Sequence, residues 1–291
     1  MSASAVQARE ELHGERPAPA DGTGPRPPRL AAEGLRVAYG PRVVLDGVDV
    51  AVPTGAVTAI IGANASGKST LLHGLARLRR PVGGRVVLDG RDIFRMPTIE
   101  VARAVGLLPQ SPTAPDGMTV GDLVARGRYP RQGVLRRWSR ADEDAVVRAL
   151  ELTGTLDLAD RPVDQLSGGQ RQRVWIALTL AQETDILLLD EPTTFLDIAH
   201  QIEVLELVRQ LHARGTTVAM VLHDLNQAAR YADHLLAVRD GRIVAEGPPA
   251  QVLTPELVGA VFGLRAHVMA DPTSGAPLVV PIGLLPAADR P

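Results

Sequence analysis

The sequence predicts an α/β fold: a mostly parallel sheet covered on both faces, an antiparallel β-rich edge on the N-terminal side, and a helical subdomain inserted in the middle. Three observations predict it. Val57 to Ile61, Ile186 to Asp190 and Thr217 to Leu222 are apolar runs of strand length, the pattern of strands buried on both faces. Segments of helical length and spacing follow them, the alternation that builds a parallel sheet. From about Ser111 to Gln165 this alternation stops, and helical spacing with Pro and Gly joints replaces it.

In chain order, Leu35 to Ala38 reads as a short strand, and Val43 to Val52 alternates as a half-buried second one. The β-branched run Val57 to Ile61 leads into a Gly-rich turn and a helix from about Lys68 to Arg77. Arg85 to Leu88 is a strand ended by Asp89-Gly90, a hairpin dipeptide. Val105 to Leu108 is the next strand. In the insert, Val120 to Arg126 and Ala141 to Leu152 have helical spacing. Helices are predicted at Gln170 to Gln182, Ile198 to Arg214 and Leu225 to Tyr231, with a strand at Leu235 to Val238. Asp240-Gly241 turns into Arg242 to Ala245, and the remainder holds Pro and Gly turns.

Composition narrows the class. The 291 residues suffice for one large domain with an insertion, and 45% hydrophobic with 22% charged residues is ordinary for a globular chain. A net charge of -2 argues against a nucleic-acid partner. Without cysteine there is neither a disulfide framework nor a thiolate metal site. No apolar run approaches the roughly 18–20 residues that span a bilayer. Residues 1–30 have no apolar core, so they read as a disordered tail and not a secretory signal. Of 31 basic residues only Lys68 is a lysine, which suggests a site where a compact point charge must enter a tight backbone loop.

The motifs carry the chemistry. Gly62-Ala63-Asn64-Ala65-Ser66-Gly67-Lys68-Ser69 follows a strand and opens a helix. In that place backbone N–H groups of Gly62, Asn64, Ser66, Gly67 and the helix start through Thr70 can cradle phosphate oxygens. Lys68 would reach the β- and γ-phosphates of ATP, and Ser69 would ligate Mg²⁺. Ala65 stands inside this loop. If that position needs φ > 0, alanine costs about 1–2 kcal/mol. Ile186 to Glu191 is an apolar strand ending in two carboxylates. Asp190 suits a Mg²⁺ shell, and Glu191 suits a general base that polarises water. Ser167-Gly168-Gly169-Gln170 places a serine and two glycines at a second helix start, another anion-binding N-terminus.

Together these motifs resemble the ATP-binding subunits of ABC transporters, from about Leu35 to Glu246. The resemblance implies a P-loop NTPase core at 31–250, with the helical subdomain at about 111–165 and a short appendix at 251–291. It implies that Ser167 to Gln170 contact the nucleotide held by a second copy of the chain. It also implies that Gln110 links Mg²⁺ and the attacking water to the membrane partner, that Asp197 crosses the dimer interface, that His223 contacts the γ-phosphate, and that Tyr39 stacks on adenine. The implied reaction is ATP hydrolysis coupled to transport. The implied partners are two permease subunits or a permease dimer and, indirectly, an extracytoplasmic binding protein, with the chain peripheral on the cytoplasmic face of the membrane.

The tracts Glu191 to Gln201, with Phe195 at an unusual place, His223 to Asp233 and Arg126 to Pro130 resemble the iron(III)-siderophore importer branch. Haem and cobalamin importers share much of this pattern. Non-transport members of the family carry paired cassettes or a long coiled coil, and this sequence has one cassette and no heptad run. A permease helix is expected in the groove between the core and the insert, near Gln110 to Arg131, with Leu123 and Val124 packed inside the insert and Arg126 and Arg128 on its rim.

Overall fold

The computed structural model describes residues 27–132, 138–194 and 196–286. The predicted parallel sheet is present. Strands β3 (Val57–Ile61), β6 (Val105–Leu108), β7 (Ile186–Leu189), β8 (Thr217–Val221), β9 (His234–Arg239) and β10 (Arg242–Gly247) lie in the order β10-β9-β3-β8-β7-β6. All neighbouring pairs are parallel except β9 with β10, which closes through the Asp240-Gly241 turn. Register brings the C-terminal ends of four strands to one edge: Ile60 lies opposite Val221, Met220 opposite Leu189, and Leu189 opposite Leu108. Segments leaving that edge are therefore neighbours although far apart in sequence, the usual place for a ligand in an open α/β sheet.

Because strand side chains alternate between faces, β3 serves two cores. Ala59 and Ile61 join one cluster with α5 (Gly168–Ala181), α6 (Ile198–Ala213) and α7 (Leu225–Tyr231). Ile60 faces the other, with Leu71, Leu72 and Leu75 of α1 (Lys68–Leu75). Burial of each such leucine contributes about 1.5–3 kcal/mol, which fixes α1 behind the loop that precedes it. The other side of α1 is covered by an antiparallel sheet of β1 (Leu30–Tyr39), β2 (Arg42–Val52), β4 (Gly83–Leu88) and β5 (Arg91–Asp92), in the order β2-β1-β4-β5.

Two sequence expectations change within the N-terminal β region, which is antiparallel as expected and forms a separate sheet stacked through α1. Its first strand starts at Leu30, not Leu35. Register shifts after Ala32 and Leu35, with Gly34 at φ 56°, break the alternation that marks a strand. The expected tail of residues 1–30 thus overlaps the fold at its end: Leu30 is buried, and Arg29 pairs with Asp89 and Asp185. Residues 1–26 lie outside the described residues. The short helix α2 (Thr98–Ala104) had no distinct periodic signal.

The insert contains α3 (Val120–Ala125), a 3₁₀ segment (Arg126–Arg131) and α4 (Arg140–Leu152), which pack against α5. Leu123 and Val124 are buried inside it, as predicted. Arg128 is not on the rim: it is 4% exposed. Its Nε donates to Asp142 Oδ1 (3.0 Å), and its Nη1 donates to Glu183 Oε2 and to the Ala181 carbonyl (both 2.7 Å) at the end of α5. Hydrogen bonds from Ser139, then Arg128, hold the buried Asp142 carboxyl below the usual carboxylate range. Arg128→Ala would strand that charge, so a loss of about 3–5 kcal/mol is expected from the denaturant midpoint at neutral pH. Asp142's folded pKa is depressed, so its contribution is present above the unfolded value of about 4 and lost as pH falls through the folded one. The Arg128→Ala deficit should therefore shrink in acid.

The chain closes with α8 (Pro249–Val252), α9 (Pro255–Phe262) and a hairpin of β11 (Leu264–Ala270) with β12 (Pro277–Leu284). No described helix is long and apolar enough to cross a membrane.

Candidate active site

The loop between β3 and α1 is shaped by its small residues. At Gly62, φ is 154°, and an added Cβ would stand 2.2 Å from the Val238 carbonyl oxygen. Gly67, at φ 107°, is the N-cap of α1 and would press a Cβ to 2.9 Å from Leu45. Ala65 has φ 62°, so the alanine does carry the left-handed strain anticipated from the sequence, about 1–2 kcal/mol. Lys68 is 5% exposed and donates from Nζ to the carbonyls of Gly62 (3.0 Å) and Ala63 (2.8 Å). Burial lowers its pKa, against the opposing pull of Glu191 and Asp190. A compact ammonium curled into a backbone loop is the environment that the lone lysine suggested.

Asp190 and Glu191 leave β7 beside this loop. Ser69 Oγ donates to Asp190 Oδ1 at 2.9 Å. Asp190 Oδ2, 3.1 Å from His73 Nε2, is fully buried and completes no hydrogen bond. Ser66 Oγ is likewise buried and unpartnered. Buried oxygens that complete no hydrogen bond normally require an explanation, and a phosphate with a hard cation supplies one. Glu191 sits at φ 53°, an uncommon conformation for a non-glycine residue. Its carboxylate accepts from Gln110 Nε2 (2.7 Å) and Thr194 Oγ1 (3.1 Å) on one oxygen, and lies 2.7 Å from His223 Nε2 on the other. Gln110 follows β6, Glu191 follows β7 and His223 follows β8, so the sheet register assembles all three.

The remaining predicted residues make local contacts of their own. Ser167 caps α5 in a reciprocal box: its Oγ accepts from Gln170 N–H (3.3 Å), and Gln170 Oε1 accepts from Ser167 N–H (3.1 Å). Gly168 faces open space, and Gly169 lies against the His200 ring. Among the described residues, no hydrogen bond or ion pair joins residues 167–170 to residues 62–70. Asp197 caps α6 and is bonded to His200 through N–H (2.9 Å) and Nδ1 (2.7 Å). Those contacts, the backbone one first, lower its pKa. Tyr39 ends β1, half exposed, with the Arg79 guanidinium 4.3 Å over its ring. Phe195 lies outside the described residues.

Sequence reasoning missed His73, Thr194 and His200. A signal existed for His73, which stands four residues after Ser69 and so shares its face of α1. His200 is three residues beyond a helix-capping aspartate.

Residues 45–194 match the family described as ABC transporter. The chain is 54% identical to a probable siderophore transport system ATP-binding protein of Bacillus subtilis (strain 168), over 87% of this chain and 93% of that protein. It is 55% identical to the ferric enterobactin transport ATP-binding protein of Escherichia coli (strain K12), over 88% of this chain and 94% of that protein. A solved structure described as an ABC transporter of metal-chelate type, in an inward-facing conformation, superposes with a TM-score of 0.75. The two are 29% identical, and the match covers 88% of this chain and 98% of that one.

Proposed function

The chain belongs to the ABC transporter family, whose ATP-binding subunits hydrolyse ATP to drive transport, and on that premise we propose that it energises import of iron(III)-siderophore complexes. The observation that carries the hydrolytic reading is the Glu191 carboxylate, held by Gln110 and His223 at 2.7 Å each beside the Lys68 loop. Loop N–H groups and Lys68 bind the phosphates, with the ammonium leaving the Gly62 and Ala63 carbonyls for the γ-phosphate. Glu191 accepts the proton of a water aligned for attack, and Gln110 and His223 orient that carboxylate. Ser69, Asp190 and Gln110 would hold Mg²⁺, which supplies charge neutralisation at the β- and γ-oxygens. Tyr39 offers its ring to adenine by turning out from under Arg79.

The open signature at Ser167 to Gln170, with no hydrogen bond or ion pair to its own loop among the described residues, supports a head-to-tail pair in which each chain completes the other's site. Asp197 then crosses between the two sites. The permease subunits dock at the groove lined by Met118, Ala125, Arg126, Tyr129 and Trp138, where both aromatic rings are exposed. A short helix with an apolar face suits such a groove. The chain is thereby held at the cytoplasmic face of the membrane.

Cargo is tested in the cell of origin. A strain lacking this chain should fail to grow on a ferric siderophore as sole iron source. The parent chain should restore growth, and Lys68→Ala should not. Restored use of haem or cobalamin, with siderophore uptake intact in the deletion strain, would move the assignment to the runner-up cargo.

A further inference from the structure

Helix α7 begins two residues after His223, and two adjacent side chains in its first turn grip different parts of the molecule. Asn226 Nδ2 donates to the Val279 carbonyl at 3.2 Å, and Asn226 Oδ1 accepts from Val279 N–H at 2.7 Å. One side-chain amide thus engages both backbone groups of one residue in β12, which fixes the amide's orientation. Gln227 Nε2 donates to Gln201 Oε1 at 2.7 Å, and Gln201 Nε2 donates to the Leu196 carbonyl at 3.0 Å, next to Asp197. Asp224 caps the same turn by accepting from the N–H groups of Asn226 and Gln227. Val279 and Ala266 of the hairpin are buried in the cluster that contains Ala228 and Ala229 of α7.

We propose that the C-terminal hairpin is a working part of the hydrolytic site. Through Asn226 it holds the start of α7, and with it His223 against Glu191. Gln227 and Gln201 tie the same turn to the loop that carries Asp197. The inference rests on the reading of His223 as a group that orients the Glu191 carboxylate. Its physical basis is the shortness of α7. A helix of 7 residues has little stability of its own, so its tethers and packing set its position. The His223 side chain is 43% exposed, and its contact is with Glu191, so backbone placement decides whether that contact forms. Asn226 and Gln227 are positioning residues: their side chains bond Val279 and Gln201 and act through His223.

The test measures ATPase rate against ATP concentration in the full chain, with nucleotide affinity and thermal unfolding measured separately. Asn226→Ala removes both bonds to Val279, and kcat should fall about tenfold while KM and ATP affinity stay within about twofold. Asn226→Asp keeps the acceptor for Val279 N–H but presents no donor to the carbonyl. It should give an intermediate kcat, and it answers the question if Asn226→Ala does not fold. Hydrogen exchange at Val279 N–H should quicken in Asn226→Ala. A kcat equal to the parent's, or a fall matched by an equal loss of ATP affinity, overturns the proposal. His223→Ala is measured alongside. If it hydrolyses ATP normally, that reading of His223 is itself wrong. If it is inactive while both Asn226 variants behave like the parent, only the clamp fails.

Discussion

Glu191→Gln is expected to bind ATP as tightly as the parent chain and to lose about 10²–10⁴ in turnover, the usual contribution of a general base. The amide is nearly isosteric and keeps an oxygen to accept from Gln110 or Thr194, so the local packing should survive. What it lacks is the charge and basicity to take a proton from water. Lys68 keeps its loop contacts, because its bonds are to Gly62 and Ala63 and not to Glu191. One of the two charges that raise the Lys68 pKa is removed, which adds to the lowering by burial, while Asp190 still opposes it. Phosphate release under steady-state conditions and equilibrium ATP binding check the two halves of the expectation. Hydrolysis near the parent rate would mean that another group activates the water.

Mixing two inactive variants should restore activity that neither has alone. Lys68→Ala removes the cation at the phosphate loop, and Ser167→Arg fills the open signature with a bulky charge. In a head-to-tail mixed dimer, one composite site carries both lesions and the other carries none. Random pairing makes half of the dimers mixed, each with one of two sites intact, so about one quarter of parent activity is expected if the sites act independently. Less returns if they cooperate. ATP, bound between the chains, should also promote association, because it binds the dimer better than the monomer. No recovery on mixing, together with rates linear in protein concentration to the lowest dilution, would sink the dimer reading.

Two of the proposed hydrolytic groups were visible in the residues themselves because each ends an apolar strand or opens a helix, and such places have local signatures. Gln110 and His223 were implied only by the family resemblance, but Glu191 after Ile186 to Leu189 is of this kind. So is Lys68, alone among 31 basic residues. The C-terminal hairpin was not visible. Its strands alternate weakly, carry Pro277 and Pro281, and take their meaning from Asn226, over fifty residues away in sequence. Arg128 shows the same limit from the other side. An arginine in Arg126-Gly127-Arg128-Tyr129-Pro130 reads as surface, and only Asp142, Glu183 and the end of α5 make a buried position for it.

By itself the sequence determined the α/β class, the loop, the signature and the carboxylate pair, because those depend on periodicity and on residue types within a few positions of one another. Tertiary structure alone decided which groups meet. Strand register placed Glu191 between Gln110 and His223, stacking through α1 made the N-terminal strands a separate sheet, and the fold turned Asn226 toward Val279. The reason is physical. Local preferences act over one or two turns of chain, whereas a hydrogen bond between distant segments forms only after hydrophobic burial has fixed both of them.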